Sequence, residues 1–193
     1  MIFFSYYSVI TFSNCYLLGR EGSRDALLID AGVFDEGLLR LVEDNSLNIR
    51  HVLITHVHQA HVNGLGTLRK IYDAALWTFE PKILEFPARK LPASDVLELA
   101  GFEVQVLETP GHSSDSVCYR IDGLLFTGDA LCAGSIGRTE GPYERAILLS
   151  SIRSRILTLG DGTLVFPGHG PPTTIGLERR VNPDLRESQP STA

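Results

Sequence analysis

The chain has 193 residues, 44% hydrophobic and 21% charged, with a formal net charge of −6. That length suits a single domain spanning residues 1–193 with a sizeable core, and the balance is that of a globular chain rather than a disordered one. The acidic charge argues against nucleic acid as a partner, and no apolar run approaches the roughly 20 residues that cross a bilayer.

The N-terminal stretch from Ile2 to Ile10 is aromatic and β-branched and lacks a basic leader, so it reads as a first strand rather than a signal peptide. NCYLLG (14–19) and DALLID (25–30) follow as strands, then a helix whose stripe of Leu38, Leu39, Leu41 and Val42 ends at Asn45. The β-branched run His51 to Ile54 reads as a buried strand. Helix is expected over 61–72, strand over 74–79 and helix again near 93–100. Three strands, FEVQVLE (102–108), VCYRI (117–121) and LLFTG (124–128), precede a helix over 143–158 and a last strand, TLVFP (163–167). The polar tail after Asn182 reads as loose. Strands interleaved with helices indicate a layered α/β domain. Cys15, Cys118 and Cys132 form no CxxC pair and read as small buried residues suited to a reducing, cytoplasmic setting.

Five of the six histidines fall at strand ends: His56, His58 and His61 within THVHQAH, His112 in TPGH and His169 in PGHG. Only His51 stands apart. In an extended segment residues two apart face the same way, so His56 and His58 point at one centre, with His61 at the turn opening the next helix. Asp129, closing the strand FTGD, adds a carboxylate. Imidazole and carboxylate gathered at strand ends are the donor set of a zinc site, with iron or manganese as the other metals such donors accept.

THVHQAH resembles the signature Thr-His-x-His-x-Asp-His of the metallo-β-lactamase superfamily. TPGHSSDS, FTGDAL and FPGHG follow in the family order, flanked by NCYLL and LLIDAG. The match runs from about Asn14 to Pro183, and SIGRT (135–139) is similar to compact glyoxalase II-type and persulfide dioxygenase-type members. The resemblance implies a four-layer αβ/βα sandwich with the site along one edge of two sheets. It implies a first metal on His56, His58 and His112, and a second on His61 and His169, with Asp129 bridging. One or two zinc ions would then activate water as hydroxide and polarise a carbonyl.

One position departs from the family. Where the motif has aspartate, this chain has Ala60, so the second site keeps only His61, His169 and the shared Asp129. Three explanations stay open: a one-metal protein, a degenerate member that binds metal weakly, or an inactivating Asp→Ala replacement. Among other residues, Asp115 reads as a turn cap and Asp30 as support for the site. Arg138 reads as a partner for an anionic substrate group or a loop salt bridge, Tyr143 and Arg145 as solvated or packing residues, and Trp77 as core. The resemblance implies a hydrolase of the glyoxalase II type acting on a small thioester, such as a glutathione-type thiol conjugate, with Asp129, His61 and Arg138 as catalytic residues. The alternatives are a mononuclear iron persulfide dioxygenase, for which two histidines and a carboxylate suffice, and a non-catalytic metal-binding member.

Overall fold

A computed structural model describes residues 1–91 and 96–186. In chain order the strands are β1 (Ile2–Tyr7), β2 (Asn14–Gly19), β3 (Asp25–Ile29), β4 (Asn48–Leu53), β5 (Ala75–Thr78), β6 (Lys82–Ile83), β7 (Phe86–Pro87), β8 (Arg89–Lys90) and β9 (Val96–Leu99). They continue with β10 (Phe102–Glu108), β11 (Val117–Ile121), β12 (Leu124–Gly128), β13 (Leu131–Cys132), β14 (Ser135–Ile136), β15 (Leu164–Pro167) and β16 (Thr173–Thr174). The helices are α1 (Glu36–Asp44), α2 (Gln59–Val62), α3 (Leu65–Ile71), α4 (Pro142–Ser151) and α5 (Ile175–Val181), and a π-helical turn, Ile152–Ile156, extends α4.

Two six-stranded sheets form, in the orders β1-β2-β3-β4-β5-β8 and β16-β15-β12-β11-β10-β9. Strand alternation sorts the apolar side chains into three clusters. Tyr16, Leu18, Leu27, Ile29 and Leu53 of the first sheet meet Phe102, Val104, Tyr119, Phe126 and Phe166 of the second between the sheets. The opposite faces of the same first-sheet strands, through Cys15, Leu17, Leu28 and Val52, pack on Leu38 and Val42 of α1 and Leu65 and Leu68 of α3. Cys118, Leu125 and Val165 of the second sheet pack on Leu148 of α4, Ile152, Ile156 and Ile175. Helix, sheet, sheet, helix is the four-layer α/β arrangement expected from the sequence.

Several local expectations are corrected. β1 stops at Tyr7 because the Ser8 hydroxyl accepts the N–H groups of Ile10 and Thr11, turning the chain before Val9 and Ile10 can pair. The helix expected over 61–72 is two helices, α2 and α3, interrupted at Gly64, whose N–H donates to Ala31 and which touches Val33 so closely that a side chain there would clash. Of the helix expected near 93–100, residues 93–95 lie outside the described residues, and Val96–Leu99 is a strand hairpinned onto β10 through Ala100-Gly101. The chain stays packed beyond Asn182: Leu185 is buried and Asp184 is ion-paired to Arg145, while residues 187–193 lie outside the described residues. Trp77 is buried as expected, and its Nε1–H donates to His51 Nδ1, which gives the outlying histidine a structural role.

Candidate metal centre

The two sheets meet along the edge where β3, β4, β12 and β15 end. Cross-links fix that edge: Asn14 N–H donates to the Gly168 carbonyl, Val117 N–H to that of Thr55, and the Tyr16 and Tyr119 hydroxyls to those of Pro167 and Ile54. Onto it the strand ends deliver His56, His58 and His61, Asp129 and His169, and the loop after β10 brings His112. A side chain at Gly168 would collide with the His61 ring and the Asp129 carboxylate, so only glycine lets β15 approach this closely.

Two close donor groups result, His56 with His58 and His112, and His56 with His61 and Asp129, the ligand atoms of each lying within 4.8 Å of one another. Three rings are oriented from behind, while His58 turns its Nδ1 to His112 Nε2 at 2.9 Å. The Thr55 hydroxyl, donating to Asp30, is 3.1 Å from His56 Nδ1; the Asp30 carboxylate is 2.7 Å from His61 Nδ1; and the Arg138 carbonyl is 2.7 Å from His112 Nδ1. These partners place the Nδ1 protons outward and turn the Nε2 atoms inward. Asp129 Oδ2 lies 3.9 Å from His56 Nε2, 3.5 Å from His61 Nε2 and 3.7 Å from His112 Nε2. His56 Nε2 and His61 Nε2 are buried with no hydrogen-bond partner.

Burial, then the neighbouring His61 charge, depresses the His56 pKa to about 2, and burial followed by His112 lowers that of His58. Both rings therefore offer lone pairs at neutral pH. His61 differs: burial alone would lower its pKa, but the Asp30 and Asp129 carboxylates outweigh burial and lift it to about 10. Burial would likewise raise Asp129, yet the hydrogen bond from His169 and the nearby His61 charge hold it well below the usual carboxylate range. A carboxylate facing the buried, unpartnered lone pair of His56 is an arrangement that a cation satisfies.

His169 sits differently from the other histidines. Its Nδ1 is 2.7 Å from Asp129 Oδ1, and it belongs to neither close donor group. Ala60 presents its carbonyl to the Ser13 hydroxyl, and no side-chain donor stands at that position. Arg138 is exposed, forms no ion pair among the described residues, and lines a cavity of about 400 Å³ with His112, Asp129, Cys132, Ile136 and His169. Cys132 is therefore only half-buried, unlike Cys15 and Cys118. Tyr143 is exposed, and Arg145 pairs with Asp184.

Sequence reasoning missed two supports. The Asp115 carboxylate does not cap its own turn but accepts the Val57 N–H at 2.8 Å, pinning the backbone between His56 and His58. Thr55 couples Asp30 to His56, for which the only sequence signal is its place ahead of the first histidine.

The model of the metallo-β-lactamase superfamily matches residues 9–169. Hydroxyacylglutathione hydrolase GloC of Haemophilus influenzae is 33% identical, covering 89% of this chain and 92% of its own. The structure of ETHE1 from Myxococcus xanthus is 34% identical with a TM-score of 0.86, covering 95% of this chain and 84% of that one. TTHA1623, solved in a di-iron-bound form, is 31% identical with a TM-score of 0.80 over 93% of this chain and 98% of that one. With its fold, its strand-end histidines and a family match over most of its length, the chain belongs to the metallo-β-lactamase superfamily.

Proposed function

We propose that the protein is a metal-dependent hydrolase of the glyoxalase II type that cleaves the thioester of a small thiol conjugate. The observation that carries this reading is the convergence of His56, His58 and His112 with Asp129, the His56 and His112 rings oriented from behind and His56 Nε2 left without a partner. A cation held by these four residues would acidify a water and polarise a carbonyl. The remaining work falls to the chain. Asp129, with Oδ1 fixed by His169, keeps Oδ2 toward the centre and can hold an attacking water in line. His61, anchored to Asp30, can exchange a proton beside it. Arg138 borders the cavity as the cation for a carboxylate on the thiol portion of the substrate. The likeness to GloC supports the thioester as substrate.

Ala60 favours a second reading, a one-metal iron enzyme acting on persulfides, because two histidines and a carboxylate suffice there while the second site lacks a carboxylate. One experiment separates the two. Protein reconstituted with zinc or with iron is given S-lactoylglutathione while thioester loss is followed, and glutathione persulfide while oxygen uptake is followed. Metal-dependent thioester loss without oxygen uptake is expected. Oxygen uptake by the iron form with no thioester loss would replace the first reading by the second.

A further inference from the structure

Behind the cavity wall lies a pair of carboxylates that touch neither the metal centre nor the cavity. Glu178 of α5 is only 1% exposed. Its two oxygens accept from Gly134 N–H at 3.2 and 3.0 Å, from the Thr173 hydroxyl at 2.7 Å and from the Asn182 amide at 2.7 Å. Every partner is a neutral donor, and among the described residues no cation pairs with it. Six residues on, Asp184 accepts Ile136 N–H at 3.0 Å and Arg145 Nη2 at 2.7 Å. The two carboxylates thus grip the hairpin of β13 and β14 by two main-chain N–H groups, that of Gly134 in its turn and that of Ile136 in β14. Gly137 then packs against Asp129 and His112 with no room for a side chain, and the next carbonyl, that of Arg138, takes the His112 Nδ1 proton at 2.7 Å.

We propose that Glu178 and Asp184 are positioning residues for the metal centre. They fix the hairpin whose end orients His112 and places Arg138 at the cavity. Glu178 accepts on both oxygens, whereas a glutamine would accept on one alone and set an NH2 group in place of the other, which only the Thr173 hydroxyl could receive. A small slackening of the hairpin would let the His112 ring turn about its bond to the chain, and ring orientation governs ligand strength. The proposal rests on His112 serving as a metal ligand.

The test uses full-length Glu178→Gln and Asp184→Asn, with Asp122→Asn as a control that disturbs the remote Arg20–Asp122 pair. Each is titrated with Co²⁺ alone and its visible spectrum recorded. The imidazole Nδ1–H resonances of His112 and His61 are followed by NMR in metal-free protein. The expectation is Co²⁺ binding weakened about tenfold in Glu178→Gln and severalfold in Asp184→Asn, an altered cobalt spectrum, a shifted or exchange-broadened His112 resonance, and an unmoved His61 resonance. Asp122→Asn should leave all of these unchanged. Folded variants with wild-type Co²⁺ affinity and an unmoved His112 resonance would overturn the proposal. If Glu178→Gln does not fold, Asp184→Asn decides on the same readouts. Should wild-type protein bind no Co²⁺, the metal reading fails, while the His112 resonance still decides whether the hairpin is held by these carboxylates.

Discussion

At the scale of single residues, the two halves of the centre differ in what a cation must displace. Around His56, His58 and His112 two pKa values are depressed, so a first cation meets lone pairs. At His61, whose pKa is lifted to about 10, a second cation must expel a proton at neutral pH, and Ala60 offers no carboxylate in compensation. Affinity for a second cation should therefore rise as pH is raised from 7 toward 10, while affinity for the first stays nearly flat. Calorimetry in buffers of different ionisation enthalpy measures both. Ala60→Asp should strengthen second-cation binding about tenfold or more, since it adds a ligand and a negative charge. Equal pH dependence for both cations, or no gain in Ala60→Asp, would contradict the assignment of the two sites. The histidines and Asp129 were legible because THVHQAH, TPGH, GD and PGHG each end a strand. The exceptional standing of His169, turned onto Asp129, was not, because ring orientation depends on contacts between segments far apart in sequence.

At the scale of elements, local chemistry decides what pattern alone leaves ambiguous. Asp35 caps α1 by accepting Leu38 N–H at 3.0 Å and receives the Tyr6 hydroxyl at 2.7 Å, tying the helix to β1. Asp35→Ala should cost about 1 kcal/mol in denaturant unfolding at neutral pH. Partial burial would raise the Asp35 pKa, but the Leu38 N–H and Tyr6 hydroxyl bonds lower it below the ordinary carboxylate value. A depressed folded pKa means the contribution is fully present above about pH 4 and lost as pH falls through the folded value. The gap between wild type and variant should thus narrow below about pH 4; a gap that widens there would show that the carboxylate is not the capping group. The strands were legible from apolar runs and alternation, and α1 from its stripe. Val96–Leu99 was misread because Val96, Leu97 and Leu99 suit a helix face as well as a strand, and pairing with β10 settles it. The tail after Asn182 was misread because its polarity suggests solvent, whereas Asp184 spends its carboxylate on the hairpin and Leu185 packs into the α4 cluster.

At the scale of the whole molecule, the inter-sheet core and the site are built from the same strands. Tyr16, Phe126 and Phe166 pack between the sheets with ring centroids 5.2–5.6 Å apart, directly beneath the edge where Asp129 and His169 emerge. A cation joining ligands from both sheets should therefore stabilise the fold as a unit. At a concentration a hundredfold above its dissociation constant it contributes about 2.7 kcal/mol, or roughly 5–10 °C in melting temperature for a domain of this size. Chelation should lower the melting temperature by that amount, and readdition of metal should restore it. The claim on which the rest depends is that the chain holds one complete metal site, on His56, His58, His112 and Asp129, and one incomplete site opposite Ala60. Elemental analysis of protein purified without added metal tests it most directly: about one tightly held ion per chain is predicted, and either none or two would contradict it.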